Sequence, residues 1–177
     1  PITYAAALSA GYTPATIILD VRRAYLTAEG DAYVPVNYDR RYHGPISLRR
    51  ALATSSNAAA VSVLDDIGVS ALVSMARRLG INWFGDLARF GLALTLGGGE
   101  VRLLDLTAAY ACFAASGRRV EPIAVQRIED SHGHVVFEKQ HRPMDRVLDP
   151  RVAYLIADIL SDDQARMPAF GEGSVLY

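Results

Sequence analysis

Apolar residues recur at helical spacing along most of this chain, and short breaks of polar residues or glycine separate the runs. In the most informative break, Leu48 and Leu52 lie one helical turn apart, residues 54–57 interrupt the apolar pattern, and residues 58–64 resume it. All four residues of the break (Thr, Ser, Ser, Asn) have side-chain oxygens that cap helices. The pattern therefore predicts a helix, a short polar turn and a second helix that begins with these polar side chains.

The same periodicity, with glycines as stop signals, predicts the remaining elements. We predict helices over residues 3–10, 57–67, 69–79 (or 70–79), 100–116 and 151–160, a strand or extended segment over residues 15–21, strands over residues 123–128 and 135–138, and a hairpin connection at residues 131–134. The alanine-rich helix 100–116 is expected in the core. Residues 82–90 are predicted as a short amphipathic connection, and residues 167–177 as a loop that enters a strand at 174–177.

Residues 22–45 are rich in tyrosine, glycine and proline and are predicted as a long irregular loop, which in a compact domain is often functional. Its tyrosines either line a groove or anchor the loop through their rings. The sequence leaves both readings open.

The elements divide the chain into two parts of one α+β domain. Residues 1–117 are predicted to form a helical subdomain with the polar turn. Residues 118–177 are predicted to form a β-hairpin and a helix that lead to a central sheet, which this chain only partly supplies.

Composition narrows the classes of function. The formal net charge is −1, so neither nucleic acid nor an anionic membrane surface is an expected partner. No apolar run is long enough to span a bilayer, and we expect no membrane contact from this chain itself. The single cysteine, Cys112, lies in an apolar run and forms no disulfide framework within the chain.

Several other groups of residues are of types that bind metals or phosphate or act as acids and bases, but their context predicts structural roles. His132 and His134 flank a hairpin glycine, and we expect exposed turn residues there rather than metal ligands. Gly97-Gly98-Gly99 lacks the lysine and hydroxyl of a phosphate-binding loop, so a tight turn is expected. The pairs 65–66 and 162–163 are aspartates on solvated faces or at caps, because helix neighbours in sequence do not face each other. No cofactor and no metal is expected.

The polar turn itself, Ser55-Ser56-Asn57, lacks a partner for nucleophilic catalysis within this sequence. A serine nucleophile needs a base such as histidine or an unprotonated lysine. His43 is the nearest histidine, but no Gly-x-Ser-x-Gly motif is present. Lys139, the only lysine, has Val136 rather than serine three residues before it.

Residues 4–16, residues 38–52, the Ser55-x-Asn57 motif and residues 96–117, in this order, resemble the transpeptidase domain of bifunctional class A penicillin-binding proteins, type 1C most of all. The resemblance covers nearly the whole chain. It implies the penicillin-binding protein and serine β-lactamase fold, of which this chain has mostly the helical subdomain and part of the sheet.

The resemblance also implies residue roles. The family uses Ser-x-x-Lys, Ser-x-Asn and Lys-Thr-Gly, and only the second is present here. Residues 1–4 look like those just after the catalytic lysine, and Lys-Thr-Gly is expected soon after Tyr177. Ser55 is expected to relay a proton between the lysine and the leaving amine. Asn57 is expected to orient the lysine and donate a hydrogen bond to the substrate amide carbonyl, which leaves Ser56 as the cap. No substrate-binding residue is assigned.

The implied function is a fragment of a peptidoglycan D,D-transpeptidase, which cross-links stem peptides ending in D-Ala-D-Ala through a serine acyl-enzyme and binds β-lactams when complete. The implied location is extracytoplasmic, in a membrane-anchored parent, and this chain alone is expected to be inactive. Two alternatives share the fold: a non-catalytic cell-wall-binding or scaffold module, and a β-lactamase-type serine hydrolase. The hydrolase ranks lower because it needs a further base that the sequence does not identify.

Overall fold

A computed structural model describes residues 1–27, 30–82, 91–140 and 144–172. The helices are α1 (Ile2–Ser9), α2 (Leu48–Ala53), α3 (Asn57–Ile67), α4 (Val69–Arg78), α5 (Leu103–Ala114), α6 (Pro150–Leu160) and α7 (Asp163–Phe170), with a 3-10 helix at Leu92–Leu96. The strands are β1 (Ile17–Asp20), β2 (Tyr25–Leu26), β3 (Ala32–Tyr33), β4 (Gly44–Ser47), β5 (Arg127–Glu129) and β6 (Val135–Glu138).

Helix α1 lies at the centre of the core. All residues from Thr3 to Leu8 are buried, because α3, α4 and α6 pack around the helix. Its run of alanines, Ala5 to Ala7, lets neighbouring backbones approach closely, and the short side chains lose no rotamer freedom on burial. The predicted helix over residues 3–10 is confirmed within one residue at each end.

Strands β1 and β4 bring the two ends of the tyrosine-rich segment together. They pair antiparallel, with Ile17 opposite Ser47 and Asp20 opposite Gly44. Within residues 22–45 the short hairpin β2–β3 also forms, with Tyr25 opposite Tyr33. The prediction of an irregular loop is therefore wrong only for residues 25–26, 32–33 and 44–45, because three-dimensional pairing orders strands too short to show a period-2 pattern; the other described residues of the segment are irregular.

The predicted helix–turn–helix arrangement is confirmed. Ser47 begins α2, where its Oγ accepts a hydrogen bond from the Arg50 backbone N–H at 3.2 Å. Residues 54–56 separate α2 from α3, and α3 ends at Gly68, whose φ is +82°. The turn is thus held between two helices with buried apolar faces, as the pattern predicts.

Helix α5 is less buried than predicted. Only Ala109, Cys112 and Phe113 are buried, whereas Leu103 and Leu104 are 79% and 61% exposed. One face of α5 packs against α6. Apolar composition alone does not show which of the other faces pack against another element. The helix also begins later than predicted, since the backbone of Arg102 is extended.

The C-terminal elements combine confirmed and corrected predictions. Strands β5 and β6 pair as predicted, but β5 begins only at Arg127, so residues 123–126 are not strand. Pro150 opens α6, and the Asp149 side chain caps it by accepting from the Arg151 N–H at 2.8 Å. Helix α7 includes residues 167–170, which were predicted as loop, because the Asp162 carboxylate caps a further helix.

In the described ranges the strands form three separate two-stranded sheets. The mixed α+β class is confirmed, whereas the predicted boundary at residue 117 stays a prediction. The predicted connection at residues 82–90, apart from Asn82, and the predicted strand at 174–177 lie outside the described residues. Among the described helices, none alone is long and apolar enough to cross a membrane; α3 and α4 reach that length and composition only together, across a 94° bend.

Candidate active site

The three residues of the polar turn have different environments. Ser55 is exposed and has a left-handed backbone with φ of +55°. Ser56 is buried and caps α3, since its Oγ accepts a hydrogen bond from the Ala59 N–H at 3.2 Å. Asn57 is half-buried, and its Nδ2 donates to the Val36 carbonyl at 2.8 Å. The assignment of Ser56 as the cap is therefore confirmed, and Ser55 faces the surface.

The side chain of Asn37 binds the buried side of the turn. Its Oδ1 accepts hydrogen bonds from the Ala58 N–H at 3.1 Å and from the Ser56 hydroxyl at 3.3 Å. Its Nδ2 donates to Asp20 Oδ1 and to the Arg41 carbonyl, each at 2.7 Å. One carboxamide thus joins the tyrosine-rich segment, strand β1 and the start of α3.

Asp20 places a buried carboxyl group at the end of β1. Its side chain is fully buried, and its Oδ2 lies 2.7 Å from His43 Nδ1. The opposite nitrogen of His43 lies 3.2 Å from Asp39 Oδ2. The Arg41 backbone N–H, followed by His43, lowers the pKa of Asp39. His43 is therefore engaged by two carboxylates, and its ring nitrogens are not bonded to Ser55.

Helix α1 packs against α3, the helix that begins at the polar turn. Burial, followed by the charge of Asp20, raises the pKa of Tyr4. Among the described residues the Tyr4 hydroxyl has no hydrogen-bond partner. In the same turn, the Thr3 hydroxyl lies 2.7 Å from that of Thr95 in the 3-10 helix. The first turn of α1 is thus joined to the 3-10 helix by the Thr3–Thr95 hydrogen bond.

Sequence reasoning identified Ser55, Ser56 and Asn57 but missed Asp20 and Asn37. The available signals were an acidic residue ending an apolar strand and a polar residue between Val36 and Tyr38. Neither signal indicates which turn the side chain reaches, because those contacts span 17 to 21 residues.

The glycine run forms a tight turn as predicted. Gly97 has φ of +96° and closes the 3-10 helix, and the Gly98 N–H donates to the Ala93 carbonyl at 3.0 Å. A Cβ on Gly98 would lie 2.9 Å from that same oxygen, so a side chain is excluded there. The backbone N–H of Gly98 is therefore used within the turn.

The hairpin histidines lie next to an aspartate that sequence reasoning left out. Ligand atoms of Asp130, His132 and His134 lie within 4.8 Å of one another, so these exposed residues could hold a metal ion. Asp130 Oδ1 accepts hydrogen bonds from the backbone N–H groups of both histidines, at 2.8 and 2.9 Å. These hydrogen bonds lower the pKa of Asp130, and the bond from the His134 N–H has the largest effect. The expectation that no metal binds here stays a prediction. The hydrogen bonds that Asp130 accepts account for the turn that these residues form.

A cavity of about 1150 Å³ lies elsewhere, at the base of the β5–β6 hairpin. Its lining includes Arg119, Phe137 and Lys139 and none of the residues of the polar turn or its network. The cavity is therefore not the site that Ser55 and Asn57 define.

The serine-containing turn at the start of α3, in a helix-rich α+β domain, agrees with the transpeptidase domain that the sequence resembles. Residues 1–173 match the family model described as penicillin binding protein transpeptidase domain, and the chain belongs to this family. The predicted family is confirmed.

Curated relatives agree with this assignment. The chain is 34% identical over 165 residues to penicillin-binding protein 2D of Bacillus subtilis and 36% identical over 139 residues to penicillin-binding protein 1A of Aquifex aeolicus. The matches cover 91% and 78% of this chain but only 23% and 19% of those proteins. The chain thus spans about a fifth to a quarter of the length of these relatives.

Solved structures share the fold. Penicillin-binding protein 1A from Haemophilus influenzae superposes with a TM-score of 0.81 at 24% identity, over 93% of this chain and 28% of that one. An imipenem acyl-enzyme complex of penicillin-binding protein A from Mycobacterium tuberculosis gives 0.77 at 24% identity, over 95% and 42%.

Proposed function

We propose that this chain is the part of a peptidoglycan D,D-transpeptidase that contains the Ser-x-Asn motif, with Ser55 and Asn57 in the active site. The observation that supports this proposal is the difference between the two serines of the turn. Ser56 and Asn37 bind its buried side, whereas Ser55 presents its hydroxyl to the surface, where that hydroxyl has no hydrogen-bond partner among the described residues. A polar group held rigidly and left free is suited to act on a bound molecule.

The proposed reaction is acyl transfer. A serine hydroxyl from a Ser-x-x-Lys segment attacks the carbonyl between two D-alanines of a stem peptide, the C–N bond breaks, and D-alanine leaves after receiving a proton on its amine. The amine of a second stem peptide then attacks the acyl-enzyme and restores the serine. A β-lactam acylates the same serine as its ring opens.

In this proposal Ser55 transfers a proton, and Asn57 positions the lysine and the substrate. The Ser55 hydroxyl both donates and accepts hydrogen bonds, so it can pass a proton from the lysine to the leaving amine. Asn57 orients the lysine and binds the acyl donor's amide. The proposed setting is the extracytoplasmic side of the cell membrane, where peptidoglycan stem peptides are the substrates.

The test measures the rate at which a fluorescent penicillin acylates the full-length protein. Replacing Ser55→Ala or Asn57→Ala should slow acylation by about 10²–10³-fold, the range expected for loss of one proton-transfer or positioning group. Ser74→Ala and Asn82→Ala are matched controls, because both residues are exposed and lie outside the turn.

The 177-residue chain alone should take up no label. Label on that chain would place the nucleophile within it and contradict the assignment of the serine to another segment. Wild-type rates in a folded Ser55→Ala variant would remove Ser55 from the active site.

A further inference from the structure

All four hydrogen-bonding positions of the Asn37 amide are occupied, and the residue is only 5% exposed. Its Oδ1 accepts from the Ser56 hydroxyl and the Ala58 N–H, and its Nδ2 donates to Asp20 and the Arg41 carbonyl. A flipped amide would turn its N–H donors towards the Ala58 N–H and its oxygen towards two acceptors. The four hydrogen bonds therefore fix the amide in one orientation.

Asn37 is connected to Ser55 through Ser56. The Ser56 hydroxyl donates to Asn37 and accepts from the Ala59 N–H, and the Ser56 N–H donates to the Ala51 carbonyl of α2 at 3.0 Å. Ser55 comes directly before Ser56 and has φ of +55°, a conformation that a non-glycine residue keeps only where its surroundings hold it. The hydrogen bonds of Ser56 contribute that restraint, so they help to set the direction in which the Ser55 hydroxyl leaves the turn.

Asn37 is connected to Asn57 through its own neighbour, Val36. The Val36 carbonyl accepts from Asn57 Nδ2 at 2.8 Å, and this carbonyl belongs to the planar peptide unit that joins Val36 to Asn37. The bond uses one N–H of the Asn57 amide. It leaves an oxygen that can accept from a lysine and a second N–H that can donate to a substrate carbonyl. Fixing Asn37 therefore also fixes the acceptor that orients Asn57.

Asp20 anchors the Asn37 amide to strand β1. The Asp20 side chain is fully buried, its Oδ1 accepts from Asn37 Nδ2 at 2.7 Å, and its Oδ2 lies 2.7 Å from His43 Nδ1. Burying a carboxyl group costs free energy unless it is hydrogen-bonded, so these two contacts account for its place in the interior. The acyl transfer proposed above does not use Asp20 directly, because its side chain has no surface at which a substrate could bind.

We propose that Asn37, anchored by Asp20, is a positioning residue for the acyl transfer, which holds the Ser55 hydroxyl and the Asn57 amide in the orientations that the reaction needs. This inference rests on the proposed function. A displacement of about 1 Å in a group that transfers a proton or orients the lysine slows a reaction by about 10²-fold. Loss of the Asn37 amide therefore slows the chemical step, whereas the binding of the acyl donor is unchanged because buried Asn37 does not contact it.

The experiment separates binding from acylation in the full-length protein by following label formation at several concentrations of a fluorescent penicillin. Asn37→Ala should lower the first-order acylation rate constant by about 10-fold to 100-fold and change the dissociation constant of the noncovalent complex by less than about twofold. A role in stability alone would instead reduce the fraction of molecules that take up label and leave the rate constant of the folded molecules unchanged.

Asn37→Asp is the second variant, because it keeps the shape of the side chain and its acceptor oxygen but has no N–H group. Its carboxyl group can bond to the Asp20 carboxyl only while the two share a proton. His43 and Asp39 continue this network, and the charge of Asp20 acts on Tyr4; these groups are common to both proteins, so a ratio to wild type cancels their contributions. The ratio of acylation rate constants, variant to wild type, should fall by about tenfold between about pH 5.5 and about pH 8 as the shared proton is lost.

Asp149→Ala is the matched control. Asn37 accepts the Ala58 N–H at the start of α3, and Asp149 accepts the Arg151 N–H at the start of α6 in the same way. Its loss should lower stability but leave both the rate constant and the dissociation constant unchanged.

A wild-type rate constant in Asn37→Ala, or a ratio for Asn37→Asp that does not change with pH, would overturn the inference. The proposed function would then still rest on the slower acylation of Ser55→Ala. If the wild-type protein is not acylated at all, the proposed function fails and the positioning role fails with it.

Discussion

At the scale of single residues, two adjacent serines have opposite environments. Ser56 is buried and its hydroxyl is used twice, in the cap of α3 and in the bond to Asn37. Ser55 is exposed with a left-handed backbone, a conformation that costs a non-glycine residue about 1 kcal/mol. Single substitutions one position apart can therefore separate the stabilising role of Ser56 from the role proposed for Ser55.

We predict that Ser56→Ala lowers the free energy of unfolding by about 1–2 kcal/mol, the usual cost of losing an N-cap hydroxyl. Ser55→Ala should change it by less than about 0.5 kcal/mol, since an exposed hydroxyl without a partner stabilises little. Urea unfolding of both variants measures the difference. Equal losses would mean that the cap is not specific to Ser56.

The candidate site could be predicted only in part. Caps and helix period identify residues 55–57, because those signals are local. Asn37 and Asp20 are found only in three dimensions, since each reaches its partners across a segment that the pattern does not organise. A buried aspartate also looks like a surface residue in sequence, because its partners are what permit its burial.

At the scale of elements, the helices with clear caps and stops were predicted well. Helices α1, α3 and α6 match within one or two residues, because capping side chains or glycine stops mark their ends. The β2–β3 hairpin and α7 were missed. The first has strands of two residues, and the second follows α6 so closely that its Asp162 cap reads as part of a polar surface.

Gly117 is the element-level feature most sensitive to substitution. It follows α5 with φ of +81°, and its carbonyl accepts from the Val147 and Leu148 N–H groups at 2.9 and 3.1 Å. An added Cβ would lie 2.2 Å from the Leu148 carbonyl oxygen, which is backbone and cannot rotate away. The close approach ties the end of α5 to the segment that leads into α6.

We predict that Gly117→Ala destabilises the protein by about 2–4 kcal/mol, the sum of a left-handed alanine and a backbone clash. Gly133→Ala is the matched control, because Gly133 has φ of +82° and open space around it. That variant should cost only about 1 kcal/mol. Similar losses in chemical denaturation would show that the Leu148 contact is unimportant.

At the scale of the whole molecule, Arg49 links the helix before the polar turn to the C-terminal helices. Its guanidinium bonds to Asp158 in α6 and, at 2.8 Å, to Asp162, the cap of α7. The hydrogen bond to Asp158 raises the pKa of Arg49 above its ordinary value. Elements more than one hundred residues apart in sequence are thus joined by a single side chain.

We predict that Arg49→Gln lowers the Tm by roughly 2–4 °C and that 1 M salt reduces this difference, since half-exposed ion pairs are screened. Arg50→Gln, on the neighbouring exposed residue, should leave the Tm unchanged within about 1 °C. A loss independent of salt would indicate packing of the arginine stem rather than its charge.

The pairing of β1 with β4 has a consequence for how this part of the chain can vary in length. The β1–β4 pairing holds the two ends of the tyrosine-rich segment together, and the Asn37 side chain binds Asp20. The residues between Asp20 and Asn37 therefore form a loop whose two ends are fixed. Closing a flexible loop twice as long costs only about 0.6 kcal/mol more. Homologous chains can therefore gain or lose residues around the β2–β3 hairpin without disturbing the turn that holds Ser55 and Asn57.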